Sequence, residues 1–397
     1  MTKLLRITTV PVSLKILLKG QHRYFSNYYE VLGVSSPGKG LTEVGTAEGI
    51  RVVSVPMERQ VSLVRDMVSL IRLIGLIRRE KPFIVHTHTP KAGTLGMVAA
   101  WLCAVPVRMH TVAGLPLMEA VGAKRKILDF VEKITYACAT RVYPNSYGLQ
   151  KIILDNGYTN VHKLKVLANG SSNGIDTEYF CPALYTVDEK KLVRQSLGLS
   201  ESDFVFVFVG RLVKDKGINE LVEAFISMKS VVGSEELRVG CSESAGSICK
   251  LLLVGPEEPE LDPLEANTLA EIRNNKDIVS VGWQADVRPY LAIANVLVFP
   301  SYREGFPNVV MQAGAMGLPA IVTDINGCNE IIVEGENGVI VPVKDSVALR
   351  RKMCFFMDNN AELMRMAANA RPMIVNRYEQ HIVWEALLEE YKRFDNL

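Results

Sequence analysis

The stretch "FVFVFVGRLVKDKG" (residues 204–217) joins six consecutive apolar residues to a glycine and a turn carrying Arg211, Lys214, Asp215 and Lys216. With Phe and Val at every position, neither face of this run suits water. A strand of that kind belongs in a parallel sheet covered by helices on both faces. The run is too short to span a bilayer and too rich in β-branched and aromatic residues for a helix. Similar segments recur on either side. Upstream stand "LLRITTV" (4–10), "YYEVLGVSS" (28–36), "RVVSVPM" (51–57), "FIVHTHT" (83–89) and "VRMHTVAG" (107–114), with a long helix across 61–80. Downstream stand "KLLLVGP" (250–256), "IVSVGW" (278–283), "VLVFPS" (296–301), "AIVTD" (320–324) and "GVIVP" (338–342), with helices from about 217 and near 264–275. The alternation of strand and helix predicts an α/β fold of parallel sheets.

The pattern breaks at the Gly- and Ser-rich "ANGSSNGID" (168–176) and then resumes, so the chain of 397 residues is expected to form two Rossmann-like doubly wound domains facing a cleft. We place them at 1–170 and 171–375, with 376–397 crossing back. The amphipathic "RYEQHIVWEALLEEYKRF" (377–394) has no strand after it and is expected to pack back on the N-terminal domain. Residues 231–249 show no clear period and read as a surface excursion.

Composition narrows the function classes. The seven cysteines include no CxxC pair, which suits reduced thiols and argues against a zinc knuckle. The N-terminal "MTKLLRITTVPV" reads as a first strand, not a signal peptide, so a cytoplasmic location is expected. Residues 1–170 hold 23 Lys+Arg against 10 Asp+Glu, while the whole chain holds 45 against 43. The basic half is expected to meet something anionic. Arg65, Arg72 and Arg79 recur at seven-residue spacing within 62–80, and Lys124, Arg125 and Lys126 open another apolar-rich segment. Both segments suit an anionic membrane surface, though either alone also reads as an ordinary helix with a solvated basic face. Aromatics are not interleaved with these charges, so nucleic acid is not an expected partner. A nicotinamide oxidoreductase would need GxGxxG after an early strand, and "PGKG" (37–40) lacks the third glycine.

The chemistry-bearing residues follow strands. After Gly210, the cations Arg211, Lys214 and Lys216 read as a phosphate site, Arg as a planar fork and Lys as a point charge; alone, they would equally read as a solvated loop. In "SYREGFPNVVMQAG" (301–314), Pro307 is expected in the first turn of a helix running on through Gln312, whose free N–H groups form an anion site. Gly305 allows close approach. A carboxylate cannot bind phosphate, so Glu304 suits sugar hydroxyls, and Gln312, just over two turns into that helix, could reach a second polyol such as a ribose. The alternative reading makes Glu304 a helix-start charge. Together the stretch fits a nucleotide diphosphate carrying a sugar.

With these motifs, and with "NGID" and "NGCNEII" (326–332), the chain resembles family 4 glycosyltransferases of the GT-B fold over nearly its whole length. The resemblance implies a retaining transfer of a hexose or N-acetylhexosamine from a nucleotide diphosphate sugar, taken as UDP, to a polyprenyl-diphosphate-linked or other glycan acceptor at the inner membrane face. It implies that Gly210, Arg211 and Lys216 hold the diphosphate, Glu304 the sugar hydroxyls, and Gly305, Phe306, Pro307 and Asn308 the sugar and phosphate. Gly282 and Trp283 of "VGW" would meet the base. The family pattern has a glutamate where Gln312 stands. In the first domain it places acceptor and catalytic groups at "VHTHTPKAG" and "RMHTVAGLP", hence His88, Lys91 and His110. His86 shares the strand face of His88, and Ala113 stands where some relatives carry histidine. The first strand leads into "PVSLKILLKGQ" (11–21), where many members have a double glycine. No Asp-x-Asp occurs, so metal independence is expected, with Glu304, Lys216, Arg211 and His110 as the catalytic set. A sugar-nucleotide 2-epimerase of the same architecture and a non-catalytic protein of anionic surfaces are the alternatives.

Overall fold

The computed structural model describes residues 1–58, 60, 62–115, 117, 120–228, 249–260 and 262–395. The excursion read at 231–249 therefore lies outside the described residues except for Cys249. The chain divides into two compact units, Met1–Gly174 with Gln380–Leu397, and Ile175–Glu379. Each division falls four residues beyond the boundary placed from the sequence. Asn173 explains the first: its amide donates to the Lys19 carbonyl at 3.0 Å and its oxygen accepts from Trp384 Nε1 at 2.8 Å, holding the 171–174 loop on the first unit.

The first unit is built on β1 (Lys3–Ile7), β2 (Glu30–Ser35), β3 (Arg51–Ser54), β4 (Ile84–Thr87), β5 (Val107–Val112) and β6 (Arg141–Pro144). All pairs are parallel and the order is β3-β2-β1-β4-β5-β6. The second unit has β7 (Phe204–Val209), β8 (Cys249–Val254), β9 (Ile278–Ser280), β10 (Val296–Phe299), β11 (Ala320–Thr323) and β12 (Gly338–Val341). Its order, β12-β11-β10-β7-β8-β9, repeats the first with the first strand again beside its fourth. Both units have the doubly wound arrangement, whose switch point lies where the connections diverge. In the first sheet that point is between β1 and β4, where the His88 N–H donates to the Ile7 carbonyl at 3.1 Å. In the second it is between β7 and β10.

Strand alternation sends the side chains of β1 into two different layers. Leu5 and Ile7 join one core with Val85, Leu73, Leu76 and Met97, under the helices Leu63–Glu80 and Pro90–Leu102. Leu4 joins the other with Ile84, Val107, Met109 and Phe25, and there the helix Gln380–Lys392 supplies Leu387, Leu388 and Tyr391. The last helix thus completes the core of the first unit. Removing the isobutyl group of Leu387, Leu387→Ala, is expected to destabilise that unit by about 2–5 kcal/mol, read as a lower urea midpoint at unchanged m-value.

Candidate functional site

In the second unit, the ends of β7 and β10 bring the motif residues together. Beyond Gly210, residues 214–216 form a single 3-10 turn closed by Gly217, whose φ of +70° suits glycine. A Cβ at 217 would fall 2.1 Å from the Pro300 carbonyl oxygen, so the turn packs directly on the segment after β10. Asp215 stitches the two segments. Its carbonyl accepts from the Tyr302 N–H at 2.9 Å, and its carboxylate accepts from Arg303 at 3.0 Å. The result places Lys216 Nζ 2.5 Å from Glu304 Oε1, with both side chains largely withdrawn from water, and Ser301 Oγ donates to the same oxygen at 3.2 Å. Such a pair is held by mutual compensation, and loss of either partner strands a charge. Arg211 reaches outward to Glu258 at 3.0 Å.

The helix after Glu304 runs Asn308–Ala315, with Pro307 as its N-cap. Pro307 therefore precedes the first turn, and Gln312 lies just over one turn in, half-buried, not two. No side chain caps this helix, and among the described residues the amides of Gly305, Phe306, Asn308 and Val309 donate no hydrogen bond. They form a row of free donors. Phe306 is buried, its ring edge-on to Tyr378 at 5.4 Å, so the side chain anchors the segment and only its backbone is available to a ligand. Trp283, by contrast, is 70% exposed. It follows Gly282 at the end of β9, whose carbonyl accepts from Gly255 after β8 at 2.9 Å.

In the first unit His22, His86, His88 and His110 are interior. His86 is held at Nδ1 by the Tyr391 hydroxyl at 2.6 Å and at Nε2 by Thr111 Oγ1 at 2.8 Å. His88 lies beside it, ring centroids 4.1 Å apart, on the same strand face. His88 Nε2 accepts from Arg6 Nη2 at 3.1 Å, and Arg6 also donates to Gln21 Oε1 at 2.5 Å. Arginine only donates, so the His88 proton is assigned to Nδ1. His110 points to the opposite layer, its Nδ1 2.7 Å from Thr87 Oγ1. Lys91 is engaged by Asp66 at 2.7 Å and by the Gln60 carbonyl.

Burial, reinforced by the Arg6 cation, holds His22, His86 and His88 well below the ordinary histidine value, and burial lowers His110 to about 4. Sequence reasoning missed Arg6 and Gln21. The signal for Arg6 was present: one charged residue within the apolar strand "KLLRI". Asp66 had no comparable signal, while Asp215 and Asn326 stood inside the quoted motifs "GRLVKDKG" and "NGCNEII" with no role read for them.

Residues 189–373 match the family described as "Glycosyl transferases group 1", and residues 29–170 the "Glycosyl transferase 4-like domain". The chain is 34% identical to the capsular polysaccharide biosynthesis glycosyltransferase CapM of Staphylococcus aureus, over 99% of this chain and 97% of that protein. It is 31% identical to the UDP-Gal:alpha-D-GlcNAc-diphosphoundecaprenol alpha-1,3-galactosyltransferase of Escherichia coli, over 83% and 81%. The fold is similar to that of Anabaena Alr3699/HepE in complex with UDP, with a TM-score of 0.78, 17% identity, and coverage of 99% of this chain and 100% of that one.

The buried histidines have a consequence for acid stability. His110 moves from an unfolded value near 6.5 to about 4 in the fold, so between these values the unfolded chain binds a proton that the native chain excludes. This group costs no stability above pH 7, and the penalty grows as pH falls towards 4. Denaturant titrations at pH 7 and pH 5 are expected to differ by about 2 kcal/mol through His110 alone. His110→Gln should flatten the dependence by that amount.

Proposed function

The chain belongs to the family 4 glycosyltransferases of the GT-B fold, and we propose that it transfers a hexose or N-acetylhexosamine, with retention, from a UDP-sugar to a polyprenyl-diphosphate-linked glycan. The observation carrying this reading is the Lys216–Glu304 contact beside four free backbone amides. Opposite charges at one point suit a ligand that is anionic at one end and polyhydroxylic at the other. When the donor enters, Lys216 exchanges the carboxylate for phosphate oxygen, and Glu304 exchanges the ammonium for sugar hydroxyls. Arg211 and the amides from Gly305 to Val309 add to the neutralisation of the leaving diphosphate. Trp283 offers a face to the base, and Gln312 a neutral amide to the ribose. The E. coli relative uses UDP-Gal and an acceptor on diphosphoundecaprenol, and the Anabaena neighbour holds UDP, which supports the choice of base and acceptor.

On the acceptor side we place His88, Lys91 and His110. Thr87 Oγ1 lies 3.4 Å from the Met109 carbonyl, so its proton is assigned there and the His110 Nδ1–H donates to Thr87, leaving Nε2 to accept from a hydroxyl. A value near 4 makes His110 a weak base, which favours the departing phosphate as proton acceptor. The acceptor oxygen attacks C1 on the face the phosphate leaves. The C1–O(phosphate) bond breaks as the glycosidic bond forms, and the acceptor proton passes to the phosphate oxygen through an oxocarbenium-like transition state.

Among the described residues no helix is long and apolar enough to cross a bilayer. The first unit nevertheless exposes Leu63, Val64, Met67, Val68 and Ile71 on one helix and Val121, Ile127 and Phe130 at another, with exposed Arg72, Arg78, Lys124, Lys126 and Lys133 on the same helices. An anionic bilayer at the inner membrane face fits this surface.

Saturation-transfer NMR against UDP-, GDP- and dTDP-sugars is expected to show contacts with a UDP-sugar at base and sugar, with Glu304→Ala losing only the sugar contacts. Glu304→Ala and Lys216→Ala are each expected to lower turnover at least about 100-fold in protein that circular dichroism shows to be folded; full activity in either removes the assignment. Flotation with phosphatidylglycerol vesicles should recover the wild type, and Leu63→Ser with Met67→Ser should reduce recovery several-fold. Equal recovery with phosphatidylcholine alone would contradict the charge argument.

A further inference from the structure

The loop after β11 touches the donor segment at one point. Asn326 Nδ2 donates to the Gly305 carbonyl at 2.7 Å and lies 3.3 Å from the Glu304 carbonyl. Gly327 follows with φ +77°, and a Cβ there would fall 2.8 Å from the Gly305 oxygen and 2.9 Å from the Phe306 Cα. The two segments are therefore in backbone contact, and only glycine fits.

Among the described residues no peptide is cis. In a trans peptide the C=O and the following N–H point in opposite directions. Drawing the carbonyls of Glu304 and Gly305 towards one amide nitrogen thus turns the N–H groups of Gly305 and Phe306 away from the 326–327 loop. Neither N–H has a hydrogen-bond partner among the described residues. Successive N–H groups turned one way make an anion-binding concavity, and here it runs into the uncapped start of the helix Asn308–Ala315.

We propose that Asn326 is a positioning residue for the donor, holding the two carbonyls back so that the Gly305 and Phe306 amides face the diphosphate. It touches the loop and not the ligand. The inference rests on the donor reading given above. Its selectivity is specific: Asn326 governs affinity for the phosphates and leaves the nucleoside part alone.

Calorimetric titration of UDP, GDP and dTDP, each beside its nucleoside, separates the two. Asn326→Leu keeps roughly the size of the side chain and adds no charge but removes the donor, so a mere packing role would survive it. Asn326→Ala removes shape and donor together. Both variants are expected to bind the nucleoside diphosphate about ten- to hundredfold more weakly, to bind the nucleoside as the wild type does, and to show a raised donor KM. Wild-type affinity for the diphosphate in Asn326→Leu overturns the inference and leaves the transferase reading intact, as does equal weakening towards nucleoside and nucleotide. Failure of the wild type to bind any of the three nucleotides removes the donor reading and this inference with it.

Discussion

In each sheet the first strand lies between its second and its fourth, so the chain leaves its two sides in opposite directions and uncovers the carboxyl ends of the middle strands. Everything chemical in this protein depends on that divergence. Arg211, Lys216 and Glu304 follow β7 and β10; His88 follows β4. Parallel strands buried on both faces supply a rigid base, and the short segments beyond them carry side chains that a strand interior could not satisfy.

The two units treat buried charge differently. In the second, Lys216 and Glu304 compensate each other, and both partners keep some exposure. In the first, Arg6 is fully buried among histidines and Gln21, with no carboxylate in hydrogen-bond contact. Its charge raises the cost of protonating each imidazole around it, so the cluster stays neutral across the physiological range. One unit pairs its withdrawn cation with a carboxylate, and the other keeps a buried cation among unprotonated rings.

The alternation of strands was legible because strands of a covered parallel sheet are mostly apolar on both faces, and Phe204–Val209 shows this without ambiguity. Ends were less so: β10 stops at Phe299, two residues before the apolar run suggests, because Pro300 cannot donate to the ladder. Glu304 and Lys216 announced themselves by type and place, but their mutual contact spans 88 residues and no local pattern encodes it. The same limit applies to Lys91, taken up by Asp66 from another helix. Phe306 was placed with the sugar and phosphate by resemblance, and its ring lies buried edge-on to Tyr378, a contact between residues 72 apart that no local pattern encodes. Asn326 donates to backbone carbonyls, which have no signature in sequence.

The helix Gln380–Lys392 belongs to the unit that the chain began, and the Tyr391 hydroxyl meets His86 across a separation of 305 residues. During synthesis the ribosome delivers nearly the whole second unit before this helix emerges. The first unit therefore waits with part of its core open while the second, continuous in sequence, folds on its own. A stop codon within the last twenty or so codons would spare the unit just completed and spoil the one made first.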